Sequence, residues 1–216
     1  MLWCGLRLDR NRACLARKRS CCLALIESLG LGRLSRQMHA VSLRQERNVE
    51  LSAYRKALWS QFGSAIDMLA NAILNCPNNL WTDQSRNPQY WYLGFHTLFF
   101  LDLYLSGTEK GFLPPPPFTL SEMDPSGRMP DRVYTKDELT LYLQHCRSKC
   151  KAVLQTIDEE GILLECNFGW LKLSRGELLL DTMRHVQHHC AQMNLILRQE
   201  LDQGSKWISK LSETLE

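Results

Sequence analysis

His185 and His189 stand four residues apart in DTMRHVQHHCAQMN, residues 181–194, a stretch that holds three of the chain's six histidines. On a helix, such positions lie one turn apart on one face, with Cβ atoms roughly 5–6 Å from each other, so both imidazoles can reach one divalent ion. His188 points about 100° away from His189 and is left out of the site. Two nitrogens from one helix need at least a third from elsewhere, and helical proteins assemble metal sites from facing helices. His39, His96 and His145 remain as donors. His96 shares a face with Tyr92, Leu93, Phe100 and Leu103, so it is expected to be buried and to need a partner. It also falls near the middle of its helix, as His185 and His189 do in theirs, so the two sets meet at one height in either relative direction. His145, among Gln144, Arg147 and Lys149, reads as a solvated surface histidine. A hydrogen-bonded core role competes for His96, and HxxxH alone is a short motif; the combination favours a metal site of His96, His185 and His189. Asp181, one turn before His185, is a candidate acceptor for that ring's second nitrogen, with a solvated helix charge as the alternative.

Helices are needed to hold these side chains, and the hydrophobic pattern predicts four. From about Leu43 to Cys76, Leu51, Tyr54, Leu58, Phe62, Ile66, Leu69 and Ile73 recur at threes and fours, the spacing of one helical face, and Pro77 ends the run. A second helix is expected from NPQYW, with Asn87 as the cap and Pro88 in the first turn, to Gly107. The third opens at TKDE and the fourth at SRGE, where Thr135/Glu138 and Ser174/Glu177 have capping-box spacing; DEEG closes the third, and the fourth runs to about Leu201. The fold class predicted is all-α, a four-helix bundle, with a long proline-rich connection from Ser106 to Tyr134 that is the natural lid. The segment 162–173 is expected to form a short hairpin or packed loop.

Charge divides the chain unevenly. Residues 1–38 carry eight Lys/Arg against Asp9 and Glu27, while the whole chain is +3, so residues 39–216 are mildly acidic. An acidic body argues against a nucleic-acid groove, which needs clustered cations. Residues 1–38 are read as a poorly ordered extension: a targeting segment, a basic arm or, the favoured reading, translated sequence ahead of a true start at Met38. Residues 39–216 are read as the bundle domain. Nine cysteines, an odd number with no CxxC pair and no secretory signal, point to a reducing, cytoplasmic setting. The most apolar run, residues 90–105, is shorter than the roughly 20 residues of a membrane span and contains His96 and Asp102, so no membrane partner is expected.

The histidine within YLGFHTLFFLDLYL, the later RHVQHHCAQMNLILRQ and the intervening DRVYTKDELTLYLQHCRSK together resemble the DinB-like (YfiT-like) metalloprotein superfamily. The resemblance covers roughly residues 45–203 and rests on order and spacing. It implies a four-helix bundle with a three-histidine divalent metal site, carried onto His96, His185 and His189. It also implies zinc, nickel or iron(II) as the ion, a homodimer, and activities such as thiol-dependent S-transfer or maleylpyruvate isomerisation. Cys190-Ala191 before Gln192 departs from the family pattern, where a glycine commonly precedes the glutamine.

Three neutral imidazoles leave a divalent ion with open positions, the arrangement of catalytic sites more than of closed structural ones. The expected function is therefore a transferase using a low-molecular-weight thiol on a small-molecule substrate. Hydrolysis or isomerisation at the same metal is the alternative, and a non-catalytic metal-binding stress protein is a third reading. A homodimer is also expected because the second helix is apolar nearly all round, with Trp91, Phe95 and Phe99 on the side away from Thr97.

Overall fold

The computed structural model describes residues 32–215, and the expectation for the first 31 residues of the basic extension lies outside them. Among the described residues the secondary structure is helical, with three isolated bridges and no strand. The all-α expectation holds. Helix α1 spans Gly32–Asn75, α2 Asn78–Trp81, α3 Tyr90–Leu105, α4 Lys136–Thr156, α5 Glu159–Leu163 and α6 Arg175–Leu201. Tertiary contacts divide the chain between Glu50 and Leu51.

In the first unit, α1 already begins at Gly32 instead of near Leu43, and Met38 falls inside it. The side chains described between residues 37 and 50 are exposed, so no apolar period marks this part of the helix. Its Arg, Gln, Leu and Glu content favours helix by residue propensity.

The second unit holds the core. Phe62, Ile66, Leu69 and Ile73 of α1 are buried, as their spacing predicts. Helix α3 packs against both α4 and α6. Two capping boxes set the helices that face it. Thr135 and Glu138 exchange side-chain and backbone hydrogen bonds at the start of α4, and Ser174 and Glu177 do so at α6. Gly107, at φ 71°, ends α3 in the left-handed conformation that glycine adopts without strain. The start of α3 differs from expectation: Gln89, not Asn87, occupies the cap position, and the helix begins at Tyr90. Gln89 makes no side-chain cap bond because its Oε1 accepts from the Trp91 indole at 2.6 Å. DEEG opens α5, with Asp158 accepting from the Gly161 amide, instead of only closing α4. Beyond it the chain turns back on itself, Cys166 N–H donating to Leu173 C=O at 2.9 Å, which is the short hairpin expected for 162–173.

Residues 106–135 contain one 3₁₀ turn, Ser121–Met123, and otherwise no helix. They are nonetheless part of the core. Phe118 stacks on Tyr142 with centroids 4.4 Å apart and on Phe95 at 5.8 Å, and Tyr134 lies 4.9 Å from Phe95. Phe112 covers Phe99, and Tyr134 covers Trp91. Trp91, Phe95 and Phe99 are all buried within the chain. The apolar girth of Trp91, Phe95 and Phe99 is therefore covered within the chain and gives no argument for a second copy.

The carboxy-terminal tail, which has no helical period, is also fastened down. Leu211 and Leu215 are buried, the Leu211 amide donates to Ser60 C=O, and the Trp59 indole donates to Glu213 C=O.

Candidate metal centre

Helix α3 supplies His96, and α6 supplies His185 and His189. One ligand-capable nitrogen or other donor atom from each lies within 4.8 Å of the corresponding atoms of the other two. Ring centroids are 4.5 Å apart for His185/His189, 4.8 Å for His96/His189 and 5.4 Å for His96/His185. The three nitrogens are close enough to bind one metal ion. The two helices bring them to one height because each carries its histidine near mid-length and α3 packs along α6.

Second nitrogens define which atom each ring offers. His189 Nδ1 lies 2.7 Å from Gln192 Oε1, and since an amide oxygen can only accept, Nδ1 carries the proton and Nε2 keeps its lone pair. That Nε2 is 3.1 Å from His185 Nε2. His96 Nδ1 lies 2.6 Å from Glu122 Oε2. His185 Nδ1 is buried with no hydrogen-bond partner. Asp181 therefore does not serve as its acceptor; that carboxylate faces Arg184 at 3.6 Å and is partly exposed.

The environment favours the neutral form of the two α6 rings. Burial, followed by the neighbouring His189, His96 and His188, pushes the His185 imidazole down from 6.5 to about 3. Burial likewise lowers His189, although the Gln192 hydrogen bond works in the other direction. A neutral ring is the form whose lone pair can ligate a metal. An aromatic wall surrounds the cluster. Phe100 lies 4.8 Å from His96 and 5.7 Å from His185, Tyr92 lies 6.0 Å from His96, and Tyr104 lies 6.4 Å from His185.

No family model matches this chain. Comparison with curated proteins and with solved structures gives no match either. The reading of the site thus stands on its own geometry.

The remaining histidines fall outside it. His188 is exposed; its ring lies edge-on to His189 with centroids 5.0 Å apart, and Gln192 Nε2 is 3.2 Å from its Nε2, but it is not one of the three clustered donors. His145 departs from the solvated reading: half of its ring is exposed, but Nε2 lies 3.2 Å from Asp102 Oδ1. Asp102 is itself buried and also accepts from Tyr142 at 3.1 Å and from Lys149 at 2.5 Å. This second cluster is a satisfied ion pair on a buried carboxylate, since the half-buried Lys149 also reaches Asp102 C=O and Ser106 Oγ.

Glu122 is the residue that sequence reasoning missed. It stands 26 residues from His96 in a segment without helical period, and its acidic type does not single it out, since Glu109, Asp124 and Asp131 share the stretch. Its side chain is 4 % exposed. Beside it, Tyr92 has its hydroxyl pKa pushed up by burial first and by the Glu122 carboxylate second.

Proposed function

We propose that the chain is a metal-dependent enzyme of the DinB-like kind. In this reading α1, α3, α4 and α6 are the helices of a four-helix bundle, residues 106–135 are the long connection between its second and third members, and His96, His185 and His189 hold one divalent ion. The observation that carries the reading is the convergence of three imidazoles from two helices, with His185 and His189 disfavouring protonation.

Zinc, nickel or iron(II) held by three neutral nitrogens would retain open positions and lower the pKa of a thiol or water placed there. The protein's part is to present the nitrogens and shape their surroundings. Gln192 holds the His189 ring with Nδ1 protonated, and Phe100, Tyr92 and Tyr104 give the site apolar walls. The favoured reaction is transfer of a low-molecular-weight thiol to a small electrophile. No cysteine of the chain competes as the nucleophile among the described residues: Cys76, Cys146, Cys150, Cys166 and Cys190 are buried and free. Burial pushes the thiol of Cys190 up to about 11 and that of Cys76 to about 12. These reduced thiols accord with a cytoplasmic setting. No described helix is long and apolar enough to cross a membrane.

Metal analysis of protein purified without a histidine tag tests the reading directly. One divalent ion per chain is expected, retained in His188→Ala and largely lost in His185→Ala, His189→Ala and His96→Ala, because two nitrogens hold a catalytic ion poorly. Full occupancy in His96→Ala would overturn the three-histidine site. Turnover on a panel of thiols and electrophiles then separates S-transfer from the alternatives; activity on esters or amides without added thiol would place the chain among hydrolases.

A further inference from the structure

We propose that Glu122 is a positioning residue for the metal centre, holding His96 in the tautomer whose proton sits on Nδ1 so that Nε2 is the nitrogen left to bind the ion. The inference rests on the metal-site reading above and assigns a role to the 3₁₀ turn at Ser121–Met123, outside the helices that carry the ligands.

Three observations point the same way. First, Glu122 Oε2 and His96 Nδ1 are 2.6 Å apart, a short charge-assisted contact. A carboxylate oxygen accepts, so Nδ1 donates. Second, the Glu122 side chain is 4 % exposed and its Oε1 is buried without a hydrogen-bond partner. Burying a carboxylate that is only half satisfied is costly. A residue that only filled space between α3 and residues 106–135 would be better apolar. Apart from the neighbouring Tyr92 hydroxyl, the group this carboxylate engages is a candidate ligand, at 2.6 Å. Third, His189 is arranged alike: its Nδ1 meets Gln192 Oε1, and its Nε2 faces His185 Nε2. Two of the three rings thus turn Nδ1 outward to an acceptor from different parts of the chain. A ligating histidine whose other nitrogen donates to a carboxylate has its ring orientation fixed and its basicity raised.

The turn is well placed to hold the carboxylate still. Met123 N–H donates to Leu120 C=O at 2.9 Å and Asp124 N–H to Ser121 C=O at 3.1 Å. Phe118, four residues earlier, is wedged between Phe95 and Tyr142. The position of Glu122 is therefore set by the core, independently of any ion.

The test reads the tautomer and the affinity separately. In ¹⁵N-labelled, chelator-treated protein, long-range ¹H–¹⁵N correlation should show His96 as the single Nδ1–H tautomer in the parent, a mixture of tautomers in Glu122→Ala, and Nδ1–H again in Glu122→Gln, whose amide oxygen still accepts. Zinc affinity, measured by competition with a chromophoric chelator, should fall about 10- to 100-fold in Glu122→Ala and less in Glu122→Gln. An unchanged His96 tautomer and unchanged zinc affinity in Glu122→Ala would overturn the proposal. Should the alanine variant fail to fold, Glu122→Met, of similar length but without an oxygen acceptor, decides: mixed His96 tautomers with a severalfold loss of zinc affinity at unchanged melting temperature support the role, and a parent-like tautomer with parent-like affinity refutes it. If the parent itself binds no zinc, the functional reading falls, while the tautomer measurement still settles what Glu122 does to His96.

Discussion

Replacing His185 by leucine should make the metal-free protein more resistant to mild acid. The ring is buried against His96, His189 and Phe100, with Nδ1 unpartnered, and it titrates near 3 in the folded chain against 6.5 for an unperturbed imidazole. Between those values the unfolded chain binds the additional proton, so stability is full above 6.5 and drains away as pH falls toward 3. At about pH 5 the separation of roughly 1.5 pH units below the unfolded value corresponds to about 2 kcal/mol. Because the ring is not completely buried, solvent screening trims this to about 1–2 kcal/mol. For a domain of this size each kcal/mol moves the melting temperature by about 2–4 °C. With chelator present, His185→Leu should therefore lose about 2–8 °C less than the parent when the buffer is taken from about pH 7.5 to about pH 5. At the higher pH the variant should be at least as stable as the parent, since leucine replaces a ring with an unsatisfied buried nitrogen. Scanning calorimetry or thermal circular dichroism at the two pH values gives the difference. Parallel acid sensitivity in the two proteins would show that the folded ring titrates normally and that the cluster is wetter than its packing indicates.

Two further outcomes follow from the packing around the site. Asp102→Ala or Lys149→Met alone should cost about 3–5 kcal/mol in urea unfolding, because each leaves a charge or its partners stranded inside, while Asp102→Leu combined with Lys149→Met should cost far less than the sum. Additive losses would mean the pair is not coupled. Leu211→Ala should destabilise by about 2–4 kcal/mol, since the side chain is buried against Gly63 on α1; a loss under about 1 kcal/mol would show the tail to be loosely attached.

The histidine cluster was legible because the i,i+4 rule and mid-helix placement are local properties of the chain, and both capping boxes were legible for the same reason. Glu122 was not, because its relation to His96 depends on how residues 106–135 fold back, and no periodicity encodes that path. The same segment misled the reading of α3: an apolar circumference suggested a second copy, when Phe112, Phe118 and Tyr134 from a proline-rich stretch provide the cover. The early turns of α1 escaped notice because a helix held by residue propensity leaves no amphipathic trace. Asp102 was noticed only as an obstacle to a membrane span; its partners Tyr142 and Lys149 come from α4, and no spacing within α3 announces them.

The stretch between α3 and α4, which its length and prolines suggest as a lid, carries aromatic rings packed into the protein interior. Lifting it would expose Phe118 and Tyr134, at about 1.5–3 kcal/mol for each large apolar side chain. His96 meanwhile keeps a quarter of its side-chain surface open to solvent. One of the three candidate ligands thus meets solvent while the aromatic rings of residues 106–135 stay packed.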